Sequence, residues 1–333
     1  MKAMVLDKPC DVKNAPLEFR DVAVPEPADG QVLLRVKSCG VCHTDLHTVV
    51  GELPLHKRPI VPGHEIVGVV EKCGRRCGKL KVGDRVGAAW LAGTCGTCKF
   101  CRRGDENLCP NARFTGYDID GGYAEYAAVL EDFAYRVPDS LDDAAAAPLL
   151  CAGIIGYRSL KLAEFNSGKR LGLYGFGASA HIAIQVAVHR GCEVYVFSRS
   201  ELHRSLAQRL GATWTGQAQD EFPEKLDSAV IFAPAGWLVR EALRVLDRGG
   251  VLALAGIYMS SVPELDYERH LYYERTVRSV TAATRQDGHE LMELAGRIPI
   301  RTTVETYDLQ EANEVLRRLE AGQIDGAAVL RCG

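Results

Sequence analysis

The feature that most constrains this 333-residue chain is a glycine turn in its second half. The apolar run Leu171–Tyr174 leads into Gly175-Phe-Gly177-Ala-Ser-Ala180, and a helical stretch, Ser179–Arg190, follows. The pattern is G-x-G-x-x-A set between a strand and a helix. Gly175 permits the tight turn, Gly177 lets backbone approach a pyrophosphate, and Ala180 allows close helix–strand packing. The surrounding rhythm gives the pattern its weight. Beyond Gly168 the chain reads as strand Glu193–Phe197, helix Glu201–Leu210, strand Asp227–Phe232, helix near Leu238–Leu246, and strands Val251–Ala255 and Val277–Ala283. Short buried strands alternating with helices predict a parallel, doubly wound α/β sheet that binds a dinucleotide.

The first half has a different rhythm. Between Val32 and Val137, short apolar runs are cut by Gly and Pro: Val32–Val36, Ile66–Glu71, Arg85–Ala89 and Tyr123–Val129. This predicts an irregular β-rich region. A helix is expected over Asp142–Leu149, with Asp142 and Asp143 favouring its start. The tail reads as strand Thr302–Tyr307, helix Leu309–Ala321 and strand Ala327–Arg331.

Twelve cysteines are many for a chain large enough to fold without staples. Cys95, Cys98, Cys101 and Cys109 form C-x2-C-x2-C-x7-C, interleaved with Gly93, Gly96 and Gly104. Two-residue gaps let a tight loop aim successive sulfurs at one point, which suits structural zinc. The spacing alone also admits free thiols or an iron–sulfur cluster. Most other cysteines are expected to be small buried hydrophobes. Net charge is −3, so no strong basic field invites nucleic acid or anionic lipid. The least polar window, Ala144–Tyr157, is broken by Pro148 and falls short of the ~20 residues of a membrane span. With no apolar leader at Met1–Lys13, the expected address is the cytoplasm.

Several motifs then occur in one order: Gly40-Val-Cys42-His43-Thr44-Asp45-Leu46-His47, Gly63-His64-Glu65, the four-cysteine lobe, Cys151-Ala-Gly153 and the glycine turn. The chain resembles, over essentially its whole length, the zinc-dependent alcohol dehydrogenases of the medium-chain dehydrogenase/reductase superfamily. It is most similar to the bacterial branch near the cinnamyl alcohol dehydrogenases. The resemblance implies a GroES-like catalytic domain at residues 1–150 and 285–333, and a Rossmann dinucleotide-binding domain at residues 151–284. It implies that Cys42, His64 and Cys151 hold a catalytic zinc and leave a fourth position open, a known ligand set for such enzymes. Cys95, Cys98, Cys101 and Cys109 hold a second, structural zinc. Glu65 matches a carboxylate that can approach the metal, and Asp45 the one that orients the ligand histidine.

The remaining roles also follow from the resemblance. Thr44 matches the hydroxyl that touches the reacting alcohol, and His47 the outer end of a proton relay, a task suited to a side chain that exchanges protons near neutral pH. His43 and Arg285 match contacts to the cofactor. Trp90 and Leu53 match the substrate pocket. Zinc polarises the alcohol oxygen as a Lewis acid, and hydride passes to the nicotinamide. One departure is Ile155, where relatives often carry Thr near the nicotinamide.

Three alternatives share the fold. Polyol dehydrogenases commonly carry Glu at the position of Cys151 and often lack the four-cysteine lobe. Quinone reductases lack the zinc ligands. A catalytically inactive cofactor-binding protein would have no need of complete ligands and relay. For the cofactor itself, no acidic residue stands where the adenosine ribose 2′-OH would be held; Ser198 and Arg199 stand there instead. Ser198 can hydrogen-bond a 2′-phosphate and Arg199 can grip it, with Arg204 nearby, which favours NADP over NAD. A homodimer or homotetramer is expected, and a strand expected near Val262 is a candidate to pair across a two-fold axis.

Overall fold

A computed structural model describes all 333 residues, which fold as two compact units. The first comprises Met1–Cys151 and Ala282–Gly333, the second Ala152–Thr281.

The first unit is built on a seven-stranded, mostly antiparallel sheet. Its spine is the long strand Gln31–Val41, which pairs with Glu65–Cys73, with Tyr126–Leu130 and with Ala327–Arg331. The tail strand Val304–Asp308 joins in parallel outside Ala327–Arg331. Val32, Leu34, Val36, Ile66, Val70, Val86 and Leu330 are fully or almost fully buried in this unit's core. Alternation along Gln31–Val41 explains why these residues share a face.

The expected helix at Asp142–Leu149 is shorter than its apolar run. Asp142 caps Asp143–Ala146 by accepting from Ala145 N at 2.7 Å, and a 3-10 turn then runs over Ala147–Leu150. Pro148 explains the change, since it donates no backbone hydrogen bond and crowds the preceding turn. That tight turn delivers Cys151. Among the cysteines expected to be buried, Cys39, Cys192 and Cys332 are, whereas Cys10, Cys73 and Cys77 are only half-buried.

The second unit is a six-stranded parallel sheet in the order Trp214–Gly216, Glu193–Phe197, Arg170–Tyr174, Leu226–Ile231, Leu246–Leu254, Thr276–Ser279. In chain order this is 3-2-1-4-5-6, the doubly wound arrangement whose strand order reverses beside its first strand. Leu171, Leu173, Val194, Val196, Val230 and Leu252 are inaccessible to solvent. Continuous apolar runs of this kind mark strands covered on both faces. The strand expected at Val277–Ala283 ends at Ser279. No strand forms near Val262; residues 259–266 are irregular, with Val262 exposed. A strand requires a hydrogen-bonded neighbour, and no strand of this chain pairs with that segment. No helix of the chain is long and apolar enough to cross a membrane.

Candidate active site

Cys42 ends the spine strand's run and starts the helix His43–Val50. Its backbone is extended, and its Sγ accepts from Thr44 N at 3.3 Å. The sulfur therefore sits at a helix N-terminus, where partial positive charge favours the thiolate. Asp45, in the same first turn, completes a capping box by accepting from Cys42 N through Oδ2 at 3.0 Å. Its other oxygen, Oδ1, accepts from Gly63 N at 3.2 Å and lies 3.0 Å from His64 Nδ1. His64 must donate there, because a carboxylate only accepts. Its Nε2 is thereby aimed at Cys42 Sγ, 3.3 Å away.

Cys151 Sγ completes the cluster at 3.9 Å from Cys42 Sγ. Glu65 joins it: the ligand atoms of Cys42, His64, Glu65 and Cys151 all lie within 4.8 Å of one another. Zn–S bonds of ~2.3 Å and Zn–N bonds of ~2.0–2.1 Å make tetrahedral edges of about 3.5–3.8 Å, so these separations fit one zinc ion. Glu65 reaches the site because its cross-strand partner is Gly40. A Cβ on residue 40 would lie 1.8 Å from Glu65 Oε2.

His64, Glu65 and Asp45 are sealed from water, at most 3% exposed, whereas Cys42 and Cys151 are half-buried. A hydrogen bond from Cys151 and the charge of His64 hold the Cys42 thiol well below its usual range, against the penalty of burial. The same hydrogen bond, with burial, pushes Cys151 well up. Burial disfavours a charged His64, but Asp45 and Cys42 outweigh it and raise its pKa well above the ordinary value. Burial, then the Cys42 charge, raises Glu65 strongly, and burial also raises Asp45.

Three further residues of this site, His43, Thr44 and His47, lie along the same helix. Thr44 is half-buried and His43 exposed. His47 stands one turn beyond Thr44, on the same side of the helix. Its Nδ1 contacts the Glu52 carboxylate, a partner that sequence reasoning missed. Gly51 makes the contact reachable by ending the helix in a left-handed conformation, φ 87°. Leu53 N donates to His47 O at 3.2 Å, which fixes Leu53 beside the helix end. The Trp90 ring meets the His64 ring edge-on at 5.1 Å and stacks on Phe114 at 4.9 Å.

The second cluster is a closed loop. Cys95, Cys98, Cys101 and Cys109 bring their sulfurs within 4.8 Å of one another, with contacts of 3.5 Å for Cys98–Cys101 and Cys109–Cys95. Backbone N–H groups of Thr97 and Cys98 lower Cys95 to about 6, whereas burial raises Cys109 to about 11. Four sulfurs at tetrahedral spacing fit structural zinc. Between Cys101 and Cys109, the buried Glu106 accepts from both Arg285 N and Arg285 Nε at 3.0 Å. The Arg285 guanidinium also lies over the Phe133 ring at 4.7 Å. The arginine assigned by resemblance to the cofactor is thus held in an ion pair with the cysteine lobe, to which sequence reasoning gave no clue.

In the second unit, Gly175 adopts φ 84°, and a Cβ there would come within 2.9 Å of Ala233. A Cβ on Gly177 would meet nothing within 4 Å, so the turn presents open space beside its backbone. Ala180 is fully buried on the helix Ala178–His189. This cradle fits a pyrophosphate at a helix N-terminus. At the end of the neighbouring strand Glu193–Phe197, Ser198 is buried and Arg199 exposed. Arg204 Nη1 donates to Ser198 O at 2.8 Å and to Arg199 O at 3.0 Å, so Arg204 shapes this loop.

Comparison with known proteins agrees with both units. Residues 28–139 match the family described as "Alcohol dehydrogenase GroES-like domain", and residues 180–297 the family described as "Zinc-binding dehydrogenase". The chain is 49% identical over 335 residues to a probable alcohol dehydrogenase AdhA of Mycobacterium tuberculosis (strain CDC 1551 / Oshkosh), covering 99% of this chain and 97% of that protein. The chain belongs to the zinc-dependent alcohol dehydrogenases of the medium-chain dehydrogenase/reductase superfamily. A solved cinnamyl alcohol dehydrogenase from Sorghum bicolor superposes with TM-score 0.89 at 30% identity, covering 99% of this chain and 97% of that one. An acetophenone reductase from Geotrichum candidum, solved in complex with NAD, gives TM-score 0.87 at 28% identity over 99% and 96% of the two chains. This alcohol dehydrogenase therefore unites a GroES-like and a Rossmann-type unit, and uses zinc and a nicotinamide cofactor.

The two cysteine clusters should respond differently to mutation. Cys42→Ser is expected to abolish turnover while leaving the melting temperature nearly unchanged, because that site adds activity to a formed domain. Cys98→Ser should chiefly lower the melting temperature, because metal binding folds the lobe. Thermal melts and steady-state rates on the two variants check this.

Proposed function

We propose that this alcohol dehydrogenase interconverts primary or aromatic alcohols and their aldehydes, prefers NADP to NAD, and carries two zinc ions per chain. The observation that carries the substrate class is the aromatic wall at the metal cluster. Trp90, backed by Phe114 and with Tyr117 5.8 Å away, stands edge-on to the ligand His64. Such a wall favours an apolar or aromatic group beside the reacting carbon. Cys151 in place of a carboxylate, together with the four-cysteine lobe, favours this reading over a polyol dehydrogenase.

When bound, zinc supplies Lewis-acid polarisation of the substrate oxygen and the nicotinamide takes or returns the hydride. The protein's own residues prepare the rest. Asp45 keeps His64 in the tautomer with its proton on Nδ1 and its Nε2 toward the metal cluster. Glu65 and the two thiols bring their ligand atoms to the same point as His64. Thr44 Oγ1 accepts the substrate proton as its own passes on toward the His47 ring, which Glu52 holds at Nδ1. We further infer a cytoplasmic homodimer or homotetramer.

His47→Ala is expected to slow alcohol oxidation near pH 7 by roughly 10²-fold or less, the scale of general acid–base contributions. Imidazole buffers should restore part of the rate. An unchanged rate and pH profile would remove His47 from the reaction.

The cofactor assignment rests on Ser198 and Arg199. The ratio of kcat/KM for NADPH over NADH should exceed one in the wild type and lose most of that excess in Ser198→Asp/Arg199→Ala. A tenfold preference for NADH, about 1.4 kcal/mol, would overturn it.

A further inference from the structure

The nucleotide-binding unit carries a second concave site that its cofactor chemistry does not use. A pocket of about 340 Å³ is lined by Lys225, Arg240, Arg244, Arg269, His270 and Arg275, with Glu241 its one carboxylate. It lies at the opposite end of the parallel strands from the glycine turn. Lys225 immediately precedes strand Leu226–Ile231, and Arg275 immediately precedes strand Thr276–Ser279, whereas Gly175 follows the end of Arg170–Tyr174.

Convergence of five Lys and Arg side chains on so small a volume is unfavourable by itself. Arg240 and Arg244, at i and i+4 on helix Leu238–Val245, repel one another. Only Arg244 has an acidic partner, Glu241 Oε2 at 3.1 Å from its Nε. The other anchors are backbone carbonyls, which fix position without cancelling charge. Lys225 Nζ donates to Arg244 O at 3.0 Å. Arg275 donates to Asp247 O at 3.2 Å and to Arg269 O at 2.7 Å. Arg244 Nη2 donates to Ala218 O at 3.1 Å. Lys225, Arg244 and Arg275 are thus held in place, and the cluster stays strongly positive.

His270 is the buried residue of the lining. It is 6% exposed and lines the pocket. Its Nδ1 lies 3.0 Å from Asp266 O, and a carbonyl only accepts, so the Nδ1 carries the proton and the ring is fixed in place. Guanidinium groups gathered around one concavity, some of them held by backbone carbonyls, match the oxygens of an oxyanion.

We propose that this pocket binds a small phosphorylated anion, separately from the cofactor. Its volume suits a metabolite-sized phosphate ester, and forked guanidinium donors match phosphate oxygens. Calorimetric titration of the zinc-loaded enzyme, saturated with NADPH to fill the cofactor's own phosphate contacts, tests it. The probes are inorganic phosphate and glycerol 3-phosphate, at ionic strength held constant with chloride. One saturable site is expected. Arg240→Gln/Arg269→Gln should weaken it at least tenfold while leaving the melting temperature and the kcat for alcohol near wild type, because neither side chain is ion-paired or bonded to the backbone. Glu241→Gln should tighten it. Tighter binding of the ester than of phosphate assigns an organic ligand, and equal binding assigns inorganic phosphate; both uphold the site. Absence of a saturable site, or undiminished binding by the double variant, would overturn the proposal.

Discussion

One buried carboxylate organises the catalytic half of this dehydrogenase. Asp45 accepts from the backbone of Cys42, from the backbone of Gly63 and from the ring of His64. A single side chain therefore closes the helix N-terminus that carries one sulfur, pins the loop that carries the imidazole, and sets that imidazole's tautomer. Gly63 and His64 lie 18 and 19 residues beyond Asp45 in sequence, and Asp45 bonds both of them to the Cys42 turn. Asp45 is almost wholly buried, so losing any of the three donors would leave part of a carboxylate unsatisfied. The cost of stranding such a group is several kcal/mol. That cost makes the arrangement cooperative: ligand, cap and loop hold their places together.

The charges in the site follow from this arrangement. Burial would ordinarily keep two thiols, an imidazole and two carboxyls neutral. Instead the proton of Cys151 is shared toward Cys42, and the Asp45 and Cys42 charges favour a protonated His64. A metal ion that replaces those protons relieves the repulsion between Cys42, Glu65 and Asp45 at once, so metal uptake is coupled to proton release. The cysteine lobe obeys the same logic at lower burial, with Cys95 lowered by backbone N–H groups. Arg285 and Glu106 tie that lobe to the helix Arg285–Ala295.

Local patterns were legible in the sequence and distant pairings were not. The strand, glycine turn and helix at Leu171–His189 are contiguous, and their periodicity and glycine spacing state the fold directly. The same holds for the four cysteines between residues 95 and 109, whose ligand atoms meet within one loop. Cys42, His64 and Cys151 are far apart in sequence, and only resemblance to a family connected them. Gly40 opposite Glu65, Glu52 against His47 and Glu106 against Arg285 carried no readable signal, since each depends on register or on a turn conformation. Arg204 was expected near the cofactor phosphate, but its guanidinium braces the backbone of the loop that presents Ser198 and Arg199. The strand expected near Val262 is missing because its apolar residues have no neighbour within one chain to pair with.

The central claim is that Asp45 sets the catalytic metal site through His64. The direct measurement is the zinc affinity of Asp45→Asn, by chelator competition, with the four-cysteine site as internal reference. The asparagine keeps the shape and loses the charge. The account predicts a 10- to 100-fold loss of affinity at one of two zinc ions, the scale for a lost partner of a ligand histidine, with the other ion unaffected. Wild-type affinity at both ions would contradict it.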